Sequence, residues 1–300
     1  MWLAIGCKSK PMKTYFDCIP CFVNQTLQAV RMVSNDERIH EQVLRRVLEH
    51  ISEMDMQQSP PAMGQTIHRL IREATGSPDP YREYKRKWNT FSLQLFPELK
   101  RRIEDAADPF DTAVRMAVAG NIIDFAARPR VNEAIVRRSI SAALSTPWKD
   151  TAVETLYREV MRARRILYLT DNAGEIVFDR LLIERLPMEN VTVAVKGSPV
   201  CNDATMEDAV EAGLKEPVNV IPNGSDAPGT MLKECSVQFK GEFARSDVVI
   251  AKGQANYETL SKCNHNVFFI LMAKCPVIAR EIGCKQENLM VFREFSQGTI

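Results

Sequence analysis

Nothing in these 300 residues approaches the roughly 20 consecutive apolar positions that a bilayer-spanning helix needs. Neither sign of charge is in excess, with 39 Lys and Arg against 38 Asp and Glu. That balance gives no electrostatic reason for a nucleic-acid or anionic-membrane partner. The densest basic run, Arg82-Glu83-Tyr84-Lys85-Arg86-Lys87, is flanked by acids and reads as a solvated helix face. Histidine is scarce, and His40, His50, His68 and His265 have no H-x-x-x-H spacing, which argues against a histidine-built zinc centre. The sequence also lacks G-x-x-x-x-G-K-[ST] and G-x-S-x-G, so neither a P-loop nor a hydrolase nucleophile elbow is present. No basic n-region precedes the apolar residues at the start, so the eight cysteines read as reduced thiols in a cytoplasmic protein. Met12 begins a second plausible start, which would make residues 1–11 a dispensable extension.

What is present divides by period. Residues 20–163 carry apolar side chains at helical spacing, as in "EQVLRRVLEHI" and "FDTAVRMAVAGNIIDFAA", punctuated at Ser59-Pro60-Pro61, Gly76-Ser77-Pro78, Asp108-Pro109 and Arg128-Pro129. Pro97 is expected to kink or end its helix. From residue 164 short apolar, β-branched runs alternate with helical segments. Strands are expected at 166–170, 191–196, 218–222, 247–252, 267–273 and 289–292. Near-continuous apolar strands between helices require a parallel sheet covered on both faces. The expected fold is therefore α/β: a helical N-terminal region (12–163) packed on a doubly wound, mostly parallel α/β/α sheet (164–300). No flexible linker separates the two, so they can fold as one unit.

Ligands of open parallel sheets bind beyond the carboxyl ends of the strands. Those positions hold Asp171-Asn172-Ala173-Gly174-Glu175, then Lys196-Gly197-Ser198 with Asn202-Asp203, then Asn223-Gly224-Ser225-Asp226, then Lys252-Gly253-Gln254-Ala255-Asn256, and finally Lys274-Cys275-Pro276. Each has a structural alternative. Asn172-x-x-Glu175 fits a capping box, and Asn202 or Asp203 could cap the next helix. As a set they converge on one rim, where carboxylate and amide oxygens suit a hard divalent cation and lysines suit a phosphate. Asn121 and Asp124 would share one face of an apolar helix, either bonding to a neighbouring helix or reaching the substrate. Asn256 would bind substrate hydroxyls or cap its own helix.

"TDNAGE", "KGSPVCNDAT", "AKGQANYETL" and "LMAKCPVIA", together with "DCIPC" and "AGNIIDF", resemble the metal-dependent damage-control phosphatases, the domain of unknown function 89 family. The Cys-x-x-Cys near the start is similar to the family's prokaryotic branch. The resemblance runs from about Met12 to the end of the chain. It implies hydrolysis of small phosphomonoesters, such as sugar phosphates or damaged metabolites, with Mg²⁺, Mn²⁺, Co²⁺ or Ni²⁺. It puts the metal on Asp171, Asn172 and Asp203, and a phosphate-binding lysine on Lys274. The eukaryotic Arg-Thr-x-Lys motif is absent, since Leu271-Met272-Ala273 precede Lys274.

On this reading Asp171, Asp203 and Lys274 are catalytic, while Asn121, Asp124, Lys252 and Asn256 bind substrate. Lys274 and Lys252 would stabilise charge on the phosphoryl oxygens, and Asp203 or Asp171 would orient or deprotonate the attacking water. Glu175 would serve the helix N-terminus. Cys18-Ile19-Pro20-Cys21 supplies at most two zinc ligands; packing, metal binding and redox switching remain open for it, and a helix start would lower the pKa of both thiols. The expected partner is a small phosphorylated metabolite, with no nucleic acid or membrane. The alternative is a non-catalytic metal- or nucleotide-binding module with the same rim.

Overall fold

The computed structural model describes residues 12–123, 132–146 and 151–293. Its first part is helical: α1 (Cys18–Val33), α2 (Glu37–Glu53), α3 (Pro60–Thr75), α4 (Arg82–Glu104), α5 (Pro109–Gly120), α6 (Glu133–Ser145) and α7 (Ala152–Arg162). Proline at the first turn starts α3 and α5, where its missing N–H costs nothing. Pro97 does not end α4, which continues to Glu104. Leu95, Leu99 and Ile103 are buried on either side of it in one hydrophobic cluster. Their packing outweighs the one helical bond that Pro97 removes.

Six strands follow: β1 (Ile166–Leu169), β2 (Val191–Val195), β3 (Asn219–Pro222), β4 (Val248–Lys252), β5 (Val267–Met272) and β6 (Leu289–Arg293). Their order is β3-β2-β1-β4-β5-β6, parallel except for the edge pairing of β5 with β6. Between them run α8 (Glu175–Ile183), α9 (Met206–Glu211), α10 (Val237–Arg245), α11 (Gln254–Leu260) and α12 (Pro276–Ile282). The expected α/β class and all six expected strand positions are present.

Strand alternation divides the sheet's side chains between two cores. Ile166, Tyr168, Val193, Ile250, Phe268 and Ile270 join a cluster with α4, α5 and α8. Leu167, Leu169, Ala194, Val249, Ala251 and Phe269 pack on the other face with α10, α11 and α12. Helices α1–α3 bury a third cluster around Val30, Val43, Val47 and Ile67. Helices α4–α7 therefore share a core with the sheet, while α1–α3 form a cap. Asp226, in the loop after β3, ties this cap down by accepting from Gln65 at 2.7 Å, Arg69 at 2.6 Å and Arg72 at 2.5 Å. No helix among the described residues is long and apolar enough to cross a membrane.

Candidate metal and phosphate site

The chain leaves β1 outward to β2 and β3, then returns to β4 on the other side of β1. The crevice at the carboxyl ends of β1 and β4 is the topological switch point of the sheet. Asp171 follows β1 there, and Gly253 follows β4. The two loops approach so closely that a Cβ on Gly253 would lie 1.8 Å from Asp171 Oδ2. Only glycine leaves room for the carboxylate.

Asp203 reaches the same place because its loop is stitched to that of Asp171. Ala204 N–H donates to the Asp171 carbonyl at 2.8 Å, and Ala173 N–H donates to the Asn202 carbonyl at 2.8 Å. Asn172 and Asp203 thereby pair as an antiparallel bridge. Neither Asn202 nor Asp203 caps α9. That role falls to Thr205, whose N–H and hydroxyl both donate to Asp208.

A buried network fixes the first carboxylate. Asp171 Oδ2 accepts from Asn121 Nδ2 at 3.0 Å and from Asn172 Nδ2 at 2.9 Å. Asn172 Nδ2 also donates to Glu175 Oε2 at 2.9 Å. Both of its partners are carboxylates, which only accept, so the Asn172 amide oxygen is turned away from them. The expected capping box is therefore inverted, since Asn172 donates to Glu175 instead of accepting from the helix backbone. Gly174, at φ +78°, occupies the N-cap position of α8.

Glu175 is fully buried and accepts from Asn121, Asn172 and Lys252 rather than serving the helix terminus. Lys252 is also fully buried; its Nζ donates to Glu175 at 2.7 Å, Asp179 at 2.5 Å and the Ala117 carbonyl at 2.9 Å. Burial alone would lower the Lys252 ammonium, but the charges of Asp179 and Glu175 outweigh it and hold the group above the lysine range. Burial pushes the Asp179 carboxyl up to about 7 against the pull of that ammonium.

Asp171, Asn172, Asp203 and Lys274 line one cavity of about 350 Å³. Its other wall is the helical cap, including Cys18, Cys21, Gln25, Pro61 and His68. Burial, with the Arg72 charge, lowers His68 to about 3, so this wall presents a neutral imidazole. Burial raises the Cys18 thiol, outweighing the backbone bond to Tyr15, so the expected lowering at a helix start does not hold for Cys18. Larger open clefts of about 490 and 1170 Å³ lie along the amino ends of the strands and beside α7. Ligand chemistry in such sheets belongs at the opposite, carboxyl end, where the smaller cavity sits.

The sequence-predicted residues thus separate. Asp171, Asn172, Asp203 and Lys274 come together at the cavity. Asn121, Lys252 and Asn256 are buried and absent from its lining. Asn121 is the C-cap of α5, which ends at Gly120. Asp124 lies outside the described residues. Asn256 accepts from Thr230 at 2.7 Å and donates to the Lys252 carbonyl at 2.7 Å, which holds the β4–α11 turn. Sequence reasoning gave no site role to Lys196, whose Nζ lies 3.3 Å from Asp203 Oδ2. It directly follows β2, as Lys252 closes β4, and that position was the available signal. Glu258, one helical turn beyond Gln254, also lines the cavity and had no such signal.

These donors fit a hard divalent cation: two carboxylates and an amide whose nitrogen is committed to Asp171 and Glu175, which leaves its oxygen as the remaining donor. Among the described residues no group of three or more His, Cys, Asp and Glu side chains is arranged to hold a metal ion, so the amide of Asn172 would have to complete the donor set.

A family model for the damage-control phosphatase ARMT1-like domain matches residues 14–290. An uncharacterized protein of Methanocaldococcus jannaschii is 34% identical over 278 residues, covering 89% of this chain and 91% of that one. A protein named damage-control phosphatase from Pyrococcus horikoshii is 36% identical over 289 residues, covering 94% and 98%. Another of that name from Archaeoglobus fulgidus is 32% identical over 272 residues, covering 89% and 94%. The crystal structure of a family 89 protein from P. horikoshii superposes with a TM-score of 0.85 at 34% identity, over 95% of this chain and all of that one.

Proposed function

The chain belongs to the damage-control phosphatase ARMT1-like family, and on that premise we propose that it is a divalent-metal-dependent phosphatase of small phosphomonoester metabolites. One observation carries the reading: Asp171, Asn172, Asp203 and Lys274 converge on a single cavity at the switch point of the sheet. The names of the relatives from P. horikoshii and A. fulgidus support a damaged-metabolite substrate. The reading includes a cytoplasmic location, in which the cysteines are reduced thiols.

Asp171, Asn172 and Asp203 would hold Mg²⁺, Mn²⁺, Co²⁺ or Ni²⁺. Once bound, the cation would supply charge neutralisation at a phosphoryl oxygen and a water of lowered pKa. Asn121 and Asn172 keep the Asp171 carboxylate in one rotation through bonds to its Oδ2. Lys196 lies 3.3 Å from Asp203 Oδ2 and helps to set the position of that carboxylate. Lys274, which lines the cavity, would meet the negative phosphoryl oxygens. The attacking water's proton has two carboxylate acceptors in the cavity, on Asp171 and Asp203.

The test is phosphate release from a panel of phosphomonoesters with each metal. Release abolished by EDTA and by Asp171→Asn is the expected result. Full activity of Asp171→Ala at saturating metal would overturn the scheme. Metal binding without turnover across the panel would favour the non-catalytic module instead.

A further inference from the structure

Glu175 neither lines the cavity nor caps α8, yet it is a fully buried carboxylate. Three donors meet it: Asn121 Nδ2 at 3.0 Å, Asn172 Nδ2 at 2.9 Å and Lys252 Nζ at 2.7 Å. Its two oxygens face different partners, Oε1 towards Lys252 and Oε2 towards Asn172. Lys252 is held in turn by Asp179 and by the Ala117 carbonyl, and Asp179 accepts from the Tyr168 hydroxyl at 2.9 Å. The carboxylate is therefore anchored by groups on β1, β4, α5 and α8. An asparagine amide can present either end to a cation, and only its oxygen is a ligand. For Asn172 the choice is made by the two carboxylates at its nitrogen, Asp171 Oδ2 and Glu175 Oε2. Turned over, the amide would set its oxygen against two acceptors. A cation bound by Asp171 would draw on that carboxylate's charge, whereas Glu175 stays outside the cavity lining.

We propose that Glu175 is a positioning residue: anchored by Lys252, it fixes the Asn172 amide so that the oxygen is the end offered to a divalent cation. The inference rests on the metal reading of Asp171, Asn172 and Asp203. Glu175→Gln tests it with little change of shape. Lys252 keeps an oxygen of the new amide facing it, so an N–H₂ group replaces Oε2 opposite the Asn172 nitrogen. Asn172 then loses that bond or turns its oxygen towards the new donor.

Mn²⁺ affinity is measured by calorimetry for the wild type, Glu175→Gln, Asn172→Ala and the double variant, each checked for folding by urea unfolding. Glu175→Gln is expected to weaken binding by about 10–100-fold. Acting through Asn172, it should add nothing once that amide is gone, so the double variant should bind within about threefold of Asn172→Ala. Losses that multiply, as mere removal of a nearby negative charge would give, overturn the role. An affinity unmoved by Glu175→Gln overturns it as well. A second measurement needs no change at Glu175. In asparagine-labelled wild type read by NMR, the Asn172 side-chain protons should exchange at least about tenfold more slowly than those of exposed Asn24, with and without Mg²⁺. Exchange as fast as at Asn24, or protection lost on adding Mg²⁺, overturns the role. A wild type that binds no Mn²⁺ defeats the metal reading and this role with it. The other adverse outcomes defeat the role alone and leave the metal reading standing.

Discussion

Gly253→Ala separates a catalytic consequence from a structural one. Gly253 sits at φ +79°, ψ 165°, a region that residues with a side chain occupy at a cost of order 1–3 kcal/mol. The new methyl would also lie 1.8 Å from Asp171 Oδ2 and 2.3 Å from Asp171 Cγ. Non-bonded heavy atoms settle at ~3.5 Å or more, so the carboxylate must move by more than an ångström. Moving it also loosens the bonds from Asn121 and Asn172, each worth about 0.5–1.5 kcal/mol. The summed loss of stability is ~2–6 kcal/mol, read by urea unfolding. Misplacing a reacting group by about 1 Å costs on the order of 100-fold in rate. The expected kcat/KM is therefore at least about 100-fold down, with weakened Mn²⁺ affinity by calorimetry. Gly76→Ala is the control, because Gly76 has φ +65° with nothing within 4 Å of an added Cβ. It should lose ~1–2 kcal/mol and keep full activity. If Gly253→Ala matched the Gly76 variant in both activity and metal affinity, the placement of Asp171 against Gly253 would be wrong.

Three further outcomes follow from the buried network and the cap. Lys252→Met leaves Glu175 and Asp179 without their shared cation and should cost about 3–5 kcal/mol in urea unfolding; adding Asp179→Asn should recover part of it. Asn121→Ala removes donors from Asp171 and Glu175 and should weaken Mn²⁺ binding by about 10–100-fold; an unchanged titration would refute its positioning role. Burial, with the Arg72 charge, lowers His68 from 6.5 to about 3, so below pH 6.5 the unfolded chain takes up a proton that the folded one refuses. Stability then falls with pH, by ~2 kcal/mol at pH 5 from this group, and His68→Gln should flatten that part of the acid slope in unfolding midpoints.

The sheet was legible because its strands are short, apolar runs between helical segments, a pattern that few other folds satisfy. Asp171, Asn172 and Asp203 were legible because polar residues at the carboxyl ends of parallel strands have few purposes there. Lys252 satisfied the same rule and still faces away from the cavity. Strand parity explains why: Val248 and Ile250 belong to the core under α5 and α8, and Lys252, two residues further, continues onto that face. Lys196 has the parity of Ala194, on the opposite face, and ends beside Asp203 instead. Position along a strand says which rim a residue reaches, whereas parity says which layer receives it. Asn121 was beyond that reasoning, because its place depends on α5 ending at Gly120 and on the Met272 N–H that its amide oxygen accepts at 3.0 Å. Nothing local to residue 121 encodes either one.

The helix cap that Asp171 or Asn172 could have supplied is provided by a residue that has no side chain. A capping carboxylate or amide is committed to backbone N–H groups and has less to offer a cation. In α8 the N-cap is Gly174, held by the bond from its own N–H to Asn89 at 2.6 Å. A Cβ there would meet Trp88 Cβ at 2.8 Å, so helix α4 packs directly against the turn. Asn172 contributes only its carbonyl to the helix start, accepting from Ile176 N–H at 3.1 Å. Its amide is left to bind Asp171 and Glu175 on one side and to turn its oxygen to the other. Glu175 in turn is removed from capping by Lys252, which draws it beneath the rim. The side chains of Asp171, Asn172 and Glu175 are thus committed to one another, to Asn121 and to Lys252 rather than to the helix terminus. That arrangement leaves the two groups proposed for the cation, the Asp171 carboxylate and the Asn172 amide oxygen, at the very point where a parallel sheet and a helix N-terminus meet.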